Sequence, residues 1–113
     1  MHAMRSEVVQ SIQFEIFMAG DIAQAKQVCR EYCRVGLCVT IEPCDYIYTG
    51  GEEAGFRIGI RNYPRFPSTE DALKDHAFAL APRLANACCQ NSYMVVGPTD
   101  TWWTTSRTDE IRP

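Results

Sequence analysis

The chain has 113 residues, 46% of them hydrophobic and 22% charged, with a formal net charge of −3. That is the size of one domain with enough apolar content for a packed core, which excludes a disordered polymer. The negative balance argues against a broad phosphate-binding surface, and no segment approaches the ~18 consecutive apolar residues of a membrane span.

Residues 1–10 read as a loose N-terminal tail, with no apolar run of secretion-signal length. Without an export signal, the six cysteines are expected to stay as thiols in a cytoplasmic protein. Residues 11–18 then alternate: Ile12, Phe14, Ile16 and Met18 on one side, Gln13, Glu15 and Phe17 on the other, as in a half-buried strand. Asp21 opens a helix, with Gln24 placed to complete a capping box. Ile22, Ala25, Cys29, Tyr32 and Cys33 form its apolar face, and Gly36 stands where a left-handed residue closes a helix. Residues 37–41 make a second strand, which Pro43 interrupts and residues 46–49 continue. Proline cannot donate to a ladder, so this strand belongs at a sheet edge.

Gly50 and Gly51 turn the chain into a third strand, where Phe56, Ile58 and Ile60 alternate with Arg57, Gly59 and Arg61. A loop stiffened by Pro64 and Pro67 follows. Ser68 is the expected cap of a second helix, with Glu70 and Asp71 in its first turn and Leu73, Ala77, Leu80, Leu84 and Cys88 on its inner face. Pro82 predicts a kink or break near Ala81. Residues 92–96 form a fourth strand, interrupted at Gly97-Pro98 and resumed over 102–105, and residues 107–113 are expected to fray.

This order predicts a single α+β domain over residues 11–106: a ferredoxin-like βαββαβ sandwich, with a four-stranded antiparallel sheet in the order 4-1-3-2 and two helices on one face. Pro43 and Pro98 would then both lie on edge strands.

Such a sheet leaves one face bare. Glu15 and Phe17 should stand there beside Arg57 and Arg61, with Glu15 in reach of an arginine across the strands. Tyr63 and Arg65 follow on the stiff loop. Adjacent Trp102 and Trp103 cannot both point inward on a strand, so one is exposed, as at interfaces. The candidate ligand-binding set is Glu15, Phe17, Arg57, Arg61, Tyr63, Arg65, Trp102 and Trp103. It suits a small anionic or aromatic ligand, or a protein partner, in a non-catalytic module acting as a homodimer. The alternative is a small dimeric enzyme with a cleft. There Arg57 or Arg61 would hold a substrate carboxylate, and Tyr63 or His76 would move a proton.

No nucleophile-and-base set stands out, so no catalytic residue is assigned. No metal or cofactor is expected. Cys29 and Cys33 lie one helical turn apart, but there is no C-x-x-C and no histidine at ligand spacing. Gly50-Gly51-Glu52-Glu53 resembles the hairpin signature of diguanylate cyclases over four residues, without the aspartate segment that precedes it there. Ile16-Phe17-Met18 and Gly55-Phe56 resemble the two short motifs of RNA-recognition domains. That resemblance implies bases stacking on Phe17 and Phe56 together, whereas Phe56 falls on the core side of the alternation. A single-stranded nucleic-acid binder of that type is therefore a further alternative, and nucleic acid is not the expected partner. The phrases 46–55 and 62–67 resemble small proteins of bacterial mobile elements such as integron gene cassettes, which implies no known activity.

Overall fold

The computed structural model describes residues 3–107. Alternation along the strand Gln13–Ala19 (β1) buries Phe14, Ile16 and Met18 almost completely. Its neighbour Gly51–Arg61 (β3) adds Phe56, Ile58 and Ile60, and Ser92–Val96 (β4) adds Val95. The helix Ile22–Tyr32 (α1) contributes Ala25, Cys29 and Tyr32 to the same cluster, and Glu70–Ala87 (α2) contributes Leu73, Ala77, Leu80, Ala81 and Leu84. Both helices therefore cover one face of one sheet. Each large side chain withdrawn from water this way stabilises the fold by about 1.5–3 kcal/mol before chain entropy is counted.

The sheet corrects the expected topology. It has five antiparallel strands in the order β2-β3-β1-β4-β5, with Thr40–Tyr48 as β2 and Thr101–Thr105 as β5, and is not a four-stranded ferredoxin-like sheet. The segment holding the tryptophans does not resume the fourth strand. A turn closed by the Gly97 N–H on the Asp100 carbonyl at 2.8 Å reverses the chain. Residues 101–105 then pair back onto β4, Thr101 opposite Val96 and Thr105 opposite Ser92. Pro98 sits in this turn, where its missing donor is harmless, and not in an edge strand. Pro43 does lie in an edge strand, β2, opposite Phe56.

Several boundaries also move. Thr69, not Ser68, caps α2, accepting from the Ala72 N–H at 3.1 Å, while the Ser68 N–H donates to the Asn62 side chain at 2.8 Å. Pro82 does not split α2; Leu80, Ala81 and Leu84 around it are fully buried, and this packing holds the helix together across the lost hydrogen bond. β2 begins at Thr40 and runs through Pro43 without a break. Asp21 caps α1 through the Ala23 N–H, and Gly36 takes a left-handed φ of 100° after a 3₁₀ turn, Cys33–Val35.

Residues 3–12 form no helix or strand, but Asn62 ties their end down by donating to the carbonyls of Gln10 and Ile12, each at 2.9 Å. Met1 and His2 of the expected loose tail lie outside the described residues, as does all of the expected frayed tail beyond Arg107. No helix among the described residues is long and apolar enough to cross a membrane.

Candidate functional site

The strand register sets one row of side chains across the uncovered face. Glu42 stands opposite Arg57, Arg57 opposite Phe17, Phe17 opposite Met94, and Met94 opposite Trp103. Because side chains alternate with period two, all five share that face. Arg57 is held between two carboxylates, donating from Nη2 to Glu42 at 2.9 Å and pairing through Nε with Glu15 at 3.5 Å. The Glu42 hydrogen bond and charge, more than Glu15, hold its guanidinium firmly protonated. Two carboxylates thus share Arg57 at the centre of the face, and the Arg61 guanidinium lies nearby beside Gly59, the residue opposite Glu15.

Where β1 ends, the face hollows into a cavity of about 450 Å³, lined by Phe17, Tyr46, Tyr48, Glu53, Met94 and Trp103 among others. Its shape depends on Gly55. A side chain there would strike the Met18 carbonyl oxygen, and would sit 2.7 Å from both Ala19 Cα and the Tyr46 ring. Without one, the Tyr46 ring lies over the strand and its hydroxyl donates to the Phe56 carbonyl at 2.8 Å. Burial, reinforced by the nearby Cys44, pushes the Tyr46 phenol well above the ordinary tyrosine range, so it remains a donor. Tyr48 donates to Glu53 at 3.3 Å and orients that carboxylate at the cavity wall.

A second cavity, of about 680 Å³, lies at the opposite end of β3, where the sheet edge meets both helices. Arg61, Tyr63, Arg65, Ser68, Leu73 and His76 are among its walls. The loop folds back on itself through the Phe66 N–H and Tyr63 carbonyl at 2.9 Å, with the Arg65 guanidinium over the Phe66 ring. Cys38 donates its thiol hydrogen to the Tyr63 hydroxyl at 3.7 Å; burial, then Cys38, raises the Tyr63 phenol. His76 Nδ1 lies 2.9 Å from the Tyr32 hydroxyl, ring edge to ring face. Burial raises the Tyr32 phenol despite the Arg83 guanidinium lying over its ring. With Tyr32 donating, Nδ1 accepts and the neutral imidazole carries its proton on Nε2.

The candidate set read from the sequence is thus divided. Glu15, Phe17, Arg57, Arg61 and Trp103 share the open face; Arg61, at its margin beside Gly59, also lines the end cavity with Tyr63 and Arg65. Trp102 points to the helix side, edge-on to Phe78 at 5.1 Å with the Lys74 ammonium 5.0 Å from its ring. Trp103 is the exposed one, at 54%. Phe56 is fully buried under the helices, so the paired stacking platform of an RNA-recognition domain does not exist here.

Sequence reading missed Glu42, Tyr46, Tyr48, Glu53 and Met94. The period-two spacing of Glu42, Tyr46 and Tyr48 carried the signal, but only an unbroken β2 puts it to use. His76, named from the sequence only as a possible mover of a proton, has a partner 44 residues away in Tyr32. Among the described residues no group of three or more His, Cys, Asp or Glu side chains is placed to hold a metal.

No family model matches the chain, and no curated protein sequence matches it. Its fold is similar to that of a solved phage SAM lyase in its apo state, with a TM-score of 0.67 and 14% identity, over 98% of this chain and 100% of that one. It is also similar to a phage SAM lyase in complex with S-methyl-5'-thioadenosine, with a TM-score of 0.59 and 13% identity, over 93% of this chain and 97% of that one. At such identities the likeness is one of fold.

Proposed function

We propose that this chain is a lyase that takes S-adenosylmethionine into the open-face cavity and releases S-methyl-5'-thioadenosine. The reading rests on one observation above all: a cavity whose walls hold aromatic rings and the Glu53 carboxylate, with Arg107 also in its lining, in a fold similar end to end to that of a small enzyme acting on this substrate. It replaces the non-catalytic module as the leading reading and develops the enzyme alternative, with other residues at its centre.

The substrate's reacting group is a sulfonium, a permanent cation without a hydrogen to donate. Aromatic faces and carboxylates are what can hold it. Tyr46, Tyr48 and Glu53 supply both at one wall. Phe17 and Trp103 offer flat apolar surfaces suited to stacking an adenine. In the reaction the bond between sulfur and the methionine γ-carbon breaks, and its electron pair stays on sulfur as a neutral thioether. The carbon left behind completes its valence in one of two ways: it bonds the substrate's own carboxylate oxygen and closes a lactone, or the adjacent carbon gives a proton to the Glu53 carboxylate and a double bond forms. As the bond lengthens, positive charge passes from sulfur to carbon. Glu53, held by Tyr48, is the carboxylate that stabilises that charge. The product has lost the charge and leaves.

The cavity is open to solvent on one side. Self-association through the Trp103 side of the face would close it, and light scattering measures that directly. The function is tested by incubating the protein with S-adenosylmethionine and following S-methyl-5'-thioadenosine by mass spectrometry. Turnover is expected. Absence of both turnover and S-methyl-5'-thioadenosine binding would overturn the reading.

A further inference from the structure

We propose that the end cavity is a second ligand site, separate from the open face, built for a small organic carboxylate. The argument does not rest on the lyase reading. The chain is acidic, with 14 Asp and Glu against 11 Lys and Arg, yet no acidic side chain lines this cavity. Two arginines do. Arg61 is the last residue of β3, and Arg65 sits in the loop between Pro64 and Pro67. The ion pairs among the described residues join Arg5 to Glu7, and Arg57 to Glu15 and Glu42. Arg61 and Arg65 have no carboxylate partner among those residues. Both line this cavity, Arg65 with its guanidinium over the Phe66 ring and Arg61 with its own reaching back beside Gly59, and either can offer a planar carboxylate two parallel N–H donors.

The remaining polar groups fit the same ligand. Tyr63 accepts from Cys38, which leaves its own O–H to donate. His76, with Nδ1 turned to Tyr32, has Nε2–H to offer. The rest of the wall is apolar: Leu37, Phe66, Pro67 and Leu73. A bare inorganic anion would satisfy the arginines and leave those walls wet. A carboxylate carried on an apolar body uses both.

Benzoate is the probe, with inorganic phosphate beside it at equal ionic strength, both followed by thermal shift and by amide chemical-shift mapping on the whole chain. Benzoate at millimolar concentration is expected to raise the melting temperature and to move the amides of Tyr63, Ser68 and His76. Arg61 and Arg65 are solvent-facing, so Arg61→Gln and Arg65→Gln leave the core intact. Each is expected to weaken benzoate about tenfold. Phosphate binding as tightly as benzoate would overturn the organic ligand class. Absent benzoate shifts, shifts confined to the open face, or unchanged affinity in the double variant would overturn the site.

Discussion

Arg57 and Arg61 are the same residue type, four residues apart on the same face of the same strand with Gly59 between them, and they end in different surroundings. Arg57 stands between Glu15 and Glu42; Arg61 pairs across the ladder with Gln13 and faces a cavity without a carboxylate. The first arginine ties Glu15 and Glu42 together across the strands. The second has no carboxylate partner among the described residues, and the proposal gives it to a ligand. What an arginine on a sheet does is thus set by its cross-strand neighbours more than by its own place in the alternation. The two ends of β3 border two cavities, for which opposite ligands are proposed, a cation at one and an anion at the other.

The largest expected effect breaks the two apart. Glu53→Gln removes the carboxylate beside the sulfonium while keeping its shape, and kcat for S-methyl-5'-thioadenosine formation is expected to fall about 100-fold or more. The benzoate thermal shift should persist in the same variant. If the two signals fall together, the cavities are not independent, and the comparison fails.

A second test concerns the scaffold under the open face. Gly55→Ala places a carbon against the Met18 carbonyl and Ala19 backbone as well as the Tyr46 ring, and a backbone cannot rotate away. A loss of about 3 kcal/mol is expected, read by denaturant unfolding. Gly59→Ala meets chiefly the Thr40 hydroxyl, 2.5 Å from the added carbon, which a change of rotamer relieves. It should be clearly milder. Equal losses would mean that Tyr46 is not seated by the glycine notch.

The contrast shows what the sequence could disclose. Alternation at Phe14, Ile16 and Met18 and at Phe56, Ile58 and Ile60 reports burial directly, because each residue carries its own signal. The Glu15–Arg57 contact was legible for the same reason, as both strands were. Glu42 was not, since its place opposite Arg57 exists only because β2 continues through Pro43. A proline costs a donor, and an edge strand has an outward side where none is needed. The fifth strand was hidden likewise: Gly97-Pro98 reads equally as an interruption and as a hairpin turn, and the pairing of 101–105 onto β4 decides between them. Tyr32 and His76 meet only once both helices pack.

Alkali asks whether the cavities share one scaffold. Burial raises the Cys29 thiol from its ordinary 9.0 to about 11, with Cys33 and Cys88 adding to it. The unfolded chain ionises first, so the native state binds the extra proton between those values. Stability is therefore unaffected below pH 9.0 and falls as pH rises towards about 11, by about 2–3 kcal/mol from this group. Tyr46, also raised by burial, adds in the same direction. Melting temperatures across this range should decline, less steeply in Cys29→Ala, and both ligand signals should fade together.

The smallest effect sharpens the electrostatic side of the comparison. Glu42→Gln takes one carboxylate from Arg57 and leaves Glu15 in place, so the face loses one negative charge. The pair is solvent-exposed, so the fold should barely respond. The response belongs in KM for S-adenosylmethionine, expected to rise about twofold at low ionic strength and to return towards wild type in high salt. A rise that salt does not erase would mean that Glu42 touches the substrate. An unchanged KM at low salt would mean that the charge of the face does not reach the cavity, and that its aromatic walls and Glu53 alone select the cation.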